Sequence, residues 1–203
     1  MDSKILNNNF VDILFRNNVN ISDDLPINEE YSARHQLEIL NIDINDIKEP
    51  VLDIGCGKSA TLVNYLHELG LDVLGIDLLV HDSVYSKKTN WFNFLFKSKF
   101  WGTIISHMAF SNYFIYNHLR SDNNYIYYAH LYTVLLKSLK LDGNLIYSPG
   151  LPFIEKHLCC NQYRINNNKI DNNNNLFNNI AKTLYNRLGY NIFYSVNIKS
   201  IKN

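Results

Sequence analysis

Residues 51–58 read Val-Leu-Asp-Ile-Gly-Cys-Gly-Lys, an apolar run broken by one carboxylate and closed by two glycines a residue apart. Gly55 and Gly57 permit positive backbone angles and lack the Cβ atoms that would hold a ligand off the main chain. A helix expected just after them, with Ser59 as its N-cap, turns unpaired N–H groups toward the loop, which favours a carboxylate or a phosphate. Asp77 closes the stretch Leu74-Gly75-Ile76-Asp77-Leu78. A carboxylate there, about 20 residues beyond the glycines, can accept both hydroxyls of a ribose.

These parts describe a nucleotide cradle and leave its occupant open. Gly55-x-Gly57-x-x-Ala60 also matches the dinucleotide fingerprint of nicotinamide and flavin enzymes. Asp53, two residues before the first glycine, separates the two readings. A carboxylate is unwelcome beside a pyrophosphate but suits the cationic methionine end of S-adenosylmethionine, directly or through water.

Other residue types bear on what such a cradle serves. His107 follows an apolar run at 103–106, and its near-neutral reference pKa suits a general base or substrate contact. A histidine bonded to backbone or stacked beside a cofactor fits that position equally well. Tyr31, Arg34 and His35 share one face at helical spacing. Tyr113, Arg120 and Tyr147 read as structural or surface groups before catalytic ones. The segment Ser148-Pro149-Gly150-Leu151-Pro152-Phe153-Ile154-Glu155 is a stiff turn that can wall an acceptor pocket or simply connect two elements. Trp91, Phe92, Phe94, Phe96, Phe100 and Trp101 can line an apolar site, with core packing the default for most.

The elements that must position these groups follow from periodicity. A helix is expected from residue 28, with Asn28 as cap, Glu29 and Glu30 at its positive end and Leu37, Ile39 and Leu40 inward. Pro50 stops it and introduces a strand at 51–54. Leu62, Val63, Leu66 and Leu69 mark a helix ended by Gly70. Strands follow at 72–76 and 103–106, then a helix at 125–140, a strand at 144–148, a helix at 176–188 and a terminal strand at 191–199. Short apolar strands alternating with helices predict an α/β fold, a largely parallel sheet covered on both faces. Ligands in such sheets bind beyond the carboxyl ends of the strands, which is where the residues above fall.

Length and composition limit the classes. The 203 residues fit one domain, with 46% apolar residues and 19 basic against 19 acidic side chains. Zero net charge argues against a general nucleic-acid footprint. Cys56, Cys159 and Cys160 are too few for a disulfide framework and lack zinc-site spacing, so no metal is expected. No apolar run reaches about 18 residues and no secretory signal is visible, which predicts a cytoplasmic protein without membrane attachment. Asparagine runs at 7–9, 166–168 and 172–175 predict solvated loops. Residues 1–27 form an expected N-terminal arm or lid before a domain at 28–203.

With these motifs in order, the chain resembles the class I S-adenosylmethionine-dependent methyltransferases over roughly residues 28–203. Residues 51–57 match the family's first motif, and residues 74–78 its acidic second-strand motif. Asn90-Trp91-Phe92 stands where the family usually has Asp and an apolar residue against the adenine. Residues 102–107 resemble its fourth-strand motif, and residues 139–145 the turn before strand five. The resemblance implies a Rossmann-like, mostly parallel seven-stranded sheet and S-adenosylmethionine as cofactor, with S-adenosylhomocysteine as product. It implies cofactor contacts at Asp53, Gly55, Cys56, Gly57, Asp77, Leu78, Asn90, Trp91 and Ser106, with Arg34 partnering the methionine carboxylate. His107 and Tyr31 are the catalytic candidates. Ser59, Asn90 and Asp142 depart from the family's usual glycine, aspartate and glycine, and each is compatible with binding. The acceptor is expected to be a small molecule or peptide side chain. A nucleic-acid enzyme lacks support, since Ser106-His107-Met108-Ala109 is no Asn/Asp-Pro-Pro-aromatic motif; a non-catalytic binding subunit stays open, as does the oligomeric state.

Overall fold

The computed structural model describes residues 31–120, 124–170, 183, 185–190 and 192–202. The expected arm at 1–27, the helix start at residue 28, the asparagine runs at 7–9 and 172–175, and most of the helix at 176–188 lie outside them. Within them, helix α1 spans Ala33–Leu40, α2 Thr61–Glu68, α3 Phe110–Arg120, α4 Tyr125–Ser138 and α5 Pro152–Glu155. The strands are β1 Val51–Ile54, β2 Val73–Asp77, β3 Ser86–Lys88, β4 Trp101–His107, β5 Leu139–Ser148, β6 Tyr163–Lys169 and β7 Tyr194–Ser200.

They form one seven-stranded sheet in the order β3-β2-β1-β4-β5-β7-β6. Strands β1 to β5 run parallel, while β7 is antiparallel to both β5 and β6. This is the Rossmann-like, mostly parallel sheet expected from the motifs. Strand order reverses between β1 and β4, so the crevice beyond their carboxyl ends is where a ligand settles in such a sheet.

Alternation along each strand builds two cores. Leu52, Ile54, Ile104, Leu145 and Tyr147 pack with Phe110 and Phe114 of α3 and Leu131 and Leu135 of α4. Val51, Ile105 and Ile146, one residue out of step, pack with Leu37 and Leu40 of α1 and Leu62, Val63 and Leu66 of α2. Helices therefore cover both faces, and outside the register shift at Trp101 a strand residue can be assigned to the α1/α2 face or the α3/α4 face by parity.

Several expectations are corrected at their edges. Ser59 is not the cap of α2: Ala60 holds that position, in the left-handed region at φ 46° and without a side-chain cap bond. Among the described residues α1 begins at Ala33, capped by Ser32, whose hydroxyl accepts the His35 N–H at 3.3 Å. The asparagines at 166–168 lie in strand β6, not in a loop. An edge strand needs only its backbone ladder to β7, and its polar side chains suit a solvated margin. Strand β5 begins at Leu139, and the expected turn survives as a register shift opposite Trp101 and Thr103, with Asp142 at φ 62°.

Candidate functional site

The glycine loop leaves the end of β1 and doubles back into α2. Gly55 and Gly57 take φ 79° and 74°, angles that an L side chain resists, but their surroundings differ. A Cβ on Gly55 would stand 2.2 Å from the Ala109 Cβ and 3.2 Å from the Trp91 ring. Gly55 is therefore required by the approach of the β4 end and the Trp91 turn. A Cβ on Gly57 would meet nothing within 4 Å, so this glycine faces open space.

Asp77, at the end of β2, ties the loop together. Its Oδ2 accepts the Gly57 N–H at 3.1 Å and its Oδ1 accepts the Leu79 N–H at 2.8 Å. Each oxygen keeps a second lone pair for a further donor. Leu78 beside it is half exposed. Cys56 turns its thiol inward against Gly75, which leaves its backbone to face the loop. Burial and the two nearby aspartates push that thiol far up, so it stays protonated.

Asp53 occupies the α1/α2 face of β1, 1% exposed, and its Oδ2 has no hydrogen-bond partner. Burial, reinforced by the Asp77 charge, raises its carboxyl to about 7. A buried carboxyl with an unpaired oxygen beside an open glycine turn is completed by a cation or a hydrogen-bond donor.

Asn90 caps the short 3-10 turn Trp91–Asn93, its Oδ1 accepting the Phe92 N–H at 3.0 Å. The turn sets Trp91 edge-on to Tyr113 at 5.4 Å and tilted toward Phe110. Ser106 lies on the α3/α4 face. Its hydroxyl donates to the Ile54 carbonyl at 2.9 Å and accepts the Phe110 N–H at 3.1 Å. It thereby pins the ends of β1 and β4 to the first turn of α3.

His107 lies on the other face of β4, beneath the start of α1. It is 7% exposed, and its Nε2 is buried without a partner. Burial, helped by His35, lowers it to about 3, so the imidazole is neutral. Tyr31 meets it edge-on at 5.0 Å and stacks on His35 at 5.2 Å. The Tyr31 carbonyl is fixed by Gln36 Nε2 at 3.0 Å and Thr61 Oγ1 at 3.0 Å, which couples α1 to α2 over the sheet. Of the three residues at helical spacing, Tyr31 and His35 reach His107. Arg34 does not: its side chain is 90% exposed and pairs with Glu38 at 3.3 Å.

The turn after β5 is anchored by Glu155, which the sequence marked only as a helix opener. Its Oε1 accepts from the Tyr147 hydroxyl at 2.7 Å and from the Leu151 N–H, and its Oε2 accepts from the Tyr194 hydroxyl at 2.7 Å. Since Tyr147 donates to Glu155, the 3.0 Å contact with Tyr132 makes Tyr132 the donor there. Tyr147 is thus structural, as its residue type suggested. Periodicity gave no sign of this network, although a lone acid five residues past an X-Pro-Gly turn was a usable signal.

Among the described residues no group of three His, Cys, Asp or Glu side chains is placed to hold a metal, and no helix is long and apolar enough to cross a membrane.

No protein-family model and no curated protein matches this chain. Solved structures do match. An S-adenosylmethionine-dependent methyltransferase from Archaeoglobus fulgidus is similar at a TM-score of 0.53 and 14% identity, over 83% of this chain and 94% of that one. One from Mesorhizobium loti is similar at 0.52 and 12%, over 81% and 97%. The plantazolicin methyltransferase BpumL, in complex with a triazolic desmethylPZN analog and SAH, is similar at 0.51 and 14%, over 98% and 91%. At these identities the likeness is one of fold: the chain has the class I methyltransferase fold.

Proposed function

We propose that the protein is an S-adenosylmethionine-dependent methyltransferase acting on a small molecule or a peptide side chain. The observation that carries this reading is the buried carboxyl of Asp53 with its unpaired oxygen, set behind an open Gly57 and beside Asp77. A dinucleotide would bring phosphates to that acid; a sulfonium compound brings the opposite charge.

When bound, S-adenosylmethionine supplies an electrophilic methyl group. The residues of this chain hold it and align what receives it. Asp77 offers the free lone pairs of its two oxygens to ribose hydroxyls, while Gly57 leaves the main chain open to approach. Asp53 gives up its proton to face the cationic methionine end. Trp91 walls the cradle beside Gly55, and Asn90 acts by fixing the turn that carries Trp91. Cys56 and Leu78 contribute through backbone and flank, and Ser106 by pinning the strand ends. Arg34, exposed and paired with Glu38, is the least supported of the expected contacts.

Methyl transfer depends mostly on proximity and alignment, with a base needed only where the acceptor must lose a proton. His107, held neutral by burial and lowered to about 3, is too weak a base to carry off a proton; its unpaired Nε2 serves as a hydrogen-bond acceptor that positions the methyl acceptor, with Tyr31 orienting the ring. Free thiols at Cys56, Cys159 and Cys160 support a reducing, cytoplasmic setting. The balanced charge favours the small-molecule or peptide acceptor.

Calorimetry with S-adenosylmethionine and S-adenosylhomocysteine tests the reading. Micromolar binding to both is expected, and heats indistinguishable from buffer for both would sink it.

A further inference from the structure

Four neighbouring strands carry buried polar atoms without partners on the same face of the sheet. Those on β4, β5 and β7 lie under α1, which packs over β5 and β7. His107 of β4 is in register with Ser148 of β5, and the β5–β7 ladder, Tyr147 with Val196, sets Ser148 beside Ser195. Parity puts all three on the α1 face: His107 is two residues beyond Ile105, Ser148 two beyond Ile146, and Ser195 one away from Val196 of the opposite core. Ser148 and Ser195 are each 0% exposed, and His107 Nε2, Ser148 Oγ and Ser195 Oγ have no hydrogen-bond partner. One step toward the strand interiors lie Asp53 Oδ2 on β1 and Asn197 Oδ1 on β7, also without partners.

Serines are frequent in proteins, but hydroxyls buried and unbonded are not, because each forfeits its hydration for nothing. Two such hydroxyls and an unpaired imidazole nitrogen side by side on neighbouring strands, beginning at His107, form a recognition row. The three side chains of the row carry no formal charge, since burial keeps His107 neutral; the ionisable groups that face it are His35, stacked on Tyr31 above His107, and Asp53 at the cradle end. Two strand spacings separate β4 from β7, about 10 Å.

We propose that this row, His107–Ser148–Ser195, is the acceptor-binding surface, and that it takes an uncharged hydrogen-bonding group such as an amide, a hydroxyl or a ring nitrogen. The inference rests on the methyltransferase reading for the word acceptor, but not for the site. The occupant reaches the row by displacing the Tyr31–His35 stack together with the turn of α1 that carries His35 and covers β5 and β7. It exchanges hydrogen bonds with Nε2 and the two hydroxyls, and it projects along the sheet away from the cofactor cradle.

Matched fragments test the chemistry: benzamide, toluene and benzylammonium, titrated into the full chain saturated with S-adenosylhomocysteine and followed by NMR. Benzamide is expected to bind at least tenfold more tightly than either of the others and to weaken at least fivefold in S148A and in S195A. Removing an unpaired hydroxyl should leave the free protein as stable or raise its Tm by about 2–4 °C. No benzamide binding, toluene binding equally well, or affinities within twofold in both serine variants overturns the proposal. So does a fall in Tm in both variants, which marks hydroxyls already satisfied by internal water. Cofactor binding without row-dependent benzamide binding removes this inference alone. Row-dependent benzamide binding in a chain that binds neither cofactor form, measured without saturation, removes the methyltransferase reading and leaves the site.

Discussion

The Tyr31 ring stands edge-on to the His107 imidazole, centroids 5.0 Å apart and planes at 83°. The contact joins the segment before α1 to the carboxyl end of β4, and it helps bury the His107 ring. Replacing His107 with Ala should lower methyl transfer at least tenfold while leaving S-adenosylmethionine affinity within about threefold, since removal of a group that positions the acceptor affects the reacting state. Turnover equal to the parent would remove His107 from the reaction. Tyr31→Phe keeps the ring contact and should retain most activity; Tyr31→Ala should not.

Asp77 has two jobs in one carboxylate, holding the Gly57 and Leu79 N–H groups and offering lone pairs to a ribose. Asp77→Ala should weaken S-adenosylhomocysteine binding about 10–100-fold, the scale of a lost charged hydrogen bond or two. Asp77→Asn, which keeps one acceptor oxygen, should lose less. Calorimetric affinities equal to the parent in the alanine variant would refute the assignment.

The two loop glycines should fail differently. Gly55→Ala meets both a positive φ and the Ala109 Cβ, a loss of about 2–5 kcal/mol in unfolding free energy. Ala109→Gly should restore part of it. Gly57→Ala faces open space and pays only for its backbone angle, about 1–2 kcal/mol, yet it places a methyl group where the ligand must lie. Its signature is a folded protein with weakened cofactor binding. Equal stability losses in the two variants, read from denaturant curves, would contradict this division.

Asp53 and His107 push the pH dependence of stability in opposite directions. The Asp53 carboxyl is raised from 3.8 to about 7 in the fold, so its contribution is complete below pH 4 and is lost as pH rises through 7. His107 is lowered from 6.5 to about 3, so its contribution is complete above pH 6.5 and is lost as pH falls toward 3. The parent should therefore show a flattened profile between pH 4 and 7. Asp53→Asn should unmask the histidine slope, with Tm rising over that range and exceeding the parent's by several degrees at pH 8. His107→Gln should unmask the opposite slope. Two variants with parallel profiles would show that neither group is coupled to folding.

Much of the cradle was legible in the sequence because its chemistry is local. Residues 51–54 are bounded by Pro50 and Gly55, and the strand occupies those four residues. Asp53, Gly57 and Asp77 come together through adjacent parallel strands, a relation that βα order alone implies. What was hidden depended on tertiary context. Helix α3 carries aromatic and asparagine residues with no clean stripe, and it forms because Ser106 and the β4 end seed its first turn. Strand β6 is nearly all polar and pairs only because β7 offers a ladder. Ala60 takes a left-handed cap that nothing in its residue type demands, displacing Ser59. Arg34 shares spacing with Tyr31 and His35, but Tyr31 precedes the helix, so the face drawn by counting was not the face that formed. The Ser148–Ser195 neighbourhood joins strands separated by the β6 excursion, and no spacing rule reaches that far.

That excursion also bears on how the molecule is made. Because β7 inserts between β5 and β6, with Asn144 opposite Lys199 and Tyr163 opposite Ser200, the outer margin of β5 and both margins of β6 lack a ladder in the described sheet until β7 exists. During vectorial synthesis the cradle half, β1 to β4, can assemble while β5 still presents an open margin and β6 has nothing to pair with. The final strand acts as a keystone. Ser195 and Asn197 arrive with it, so the proposed recognition row is completed only after the nucleotide cradle.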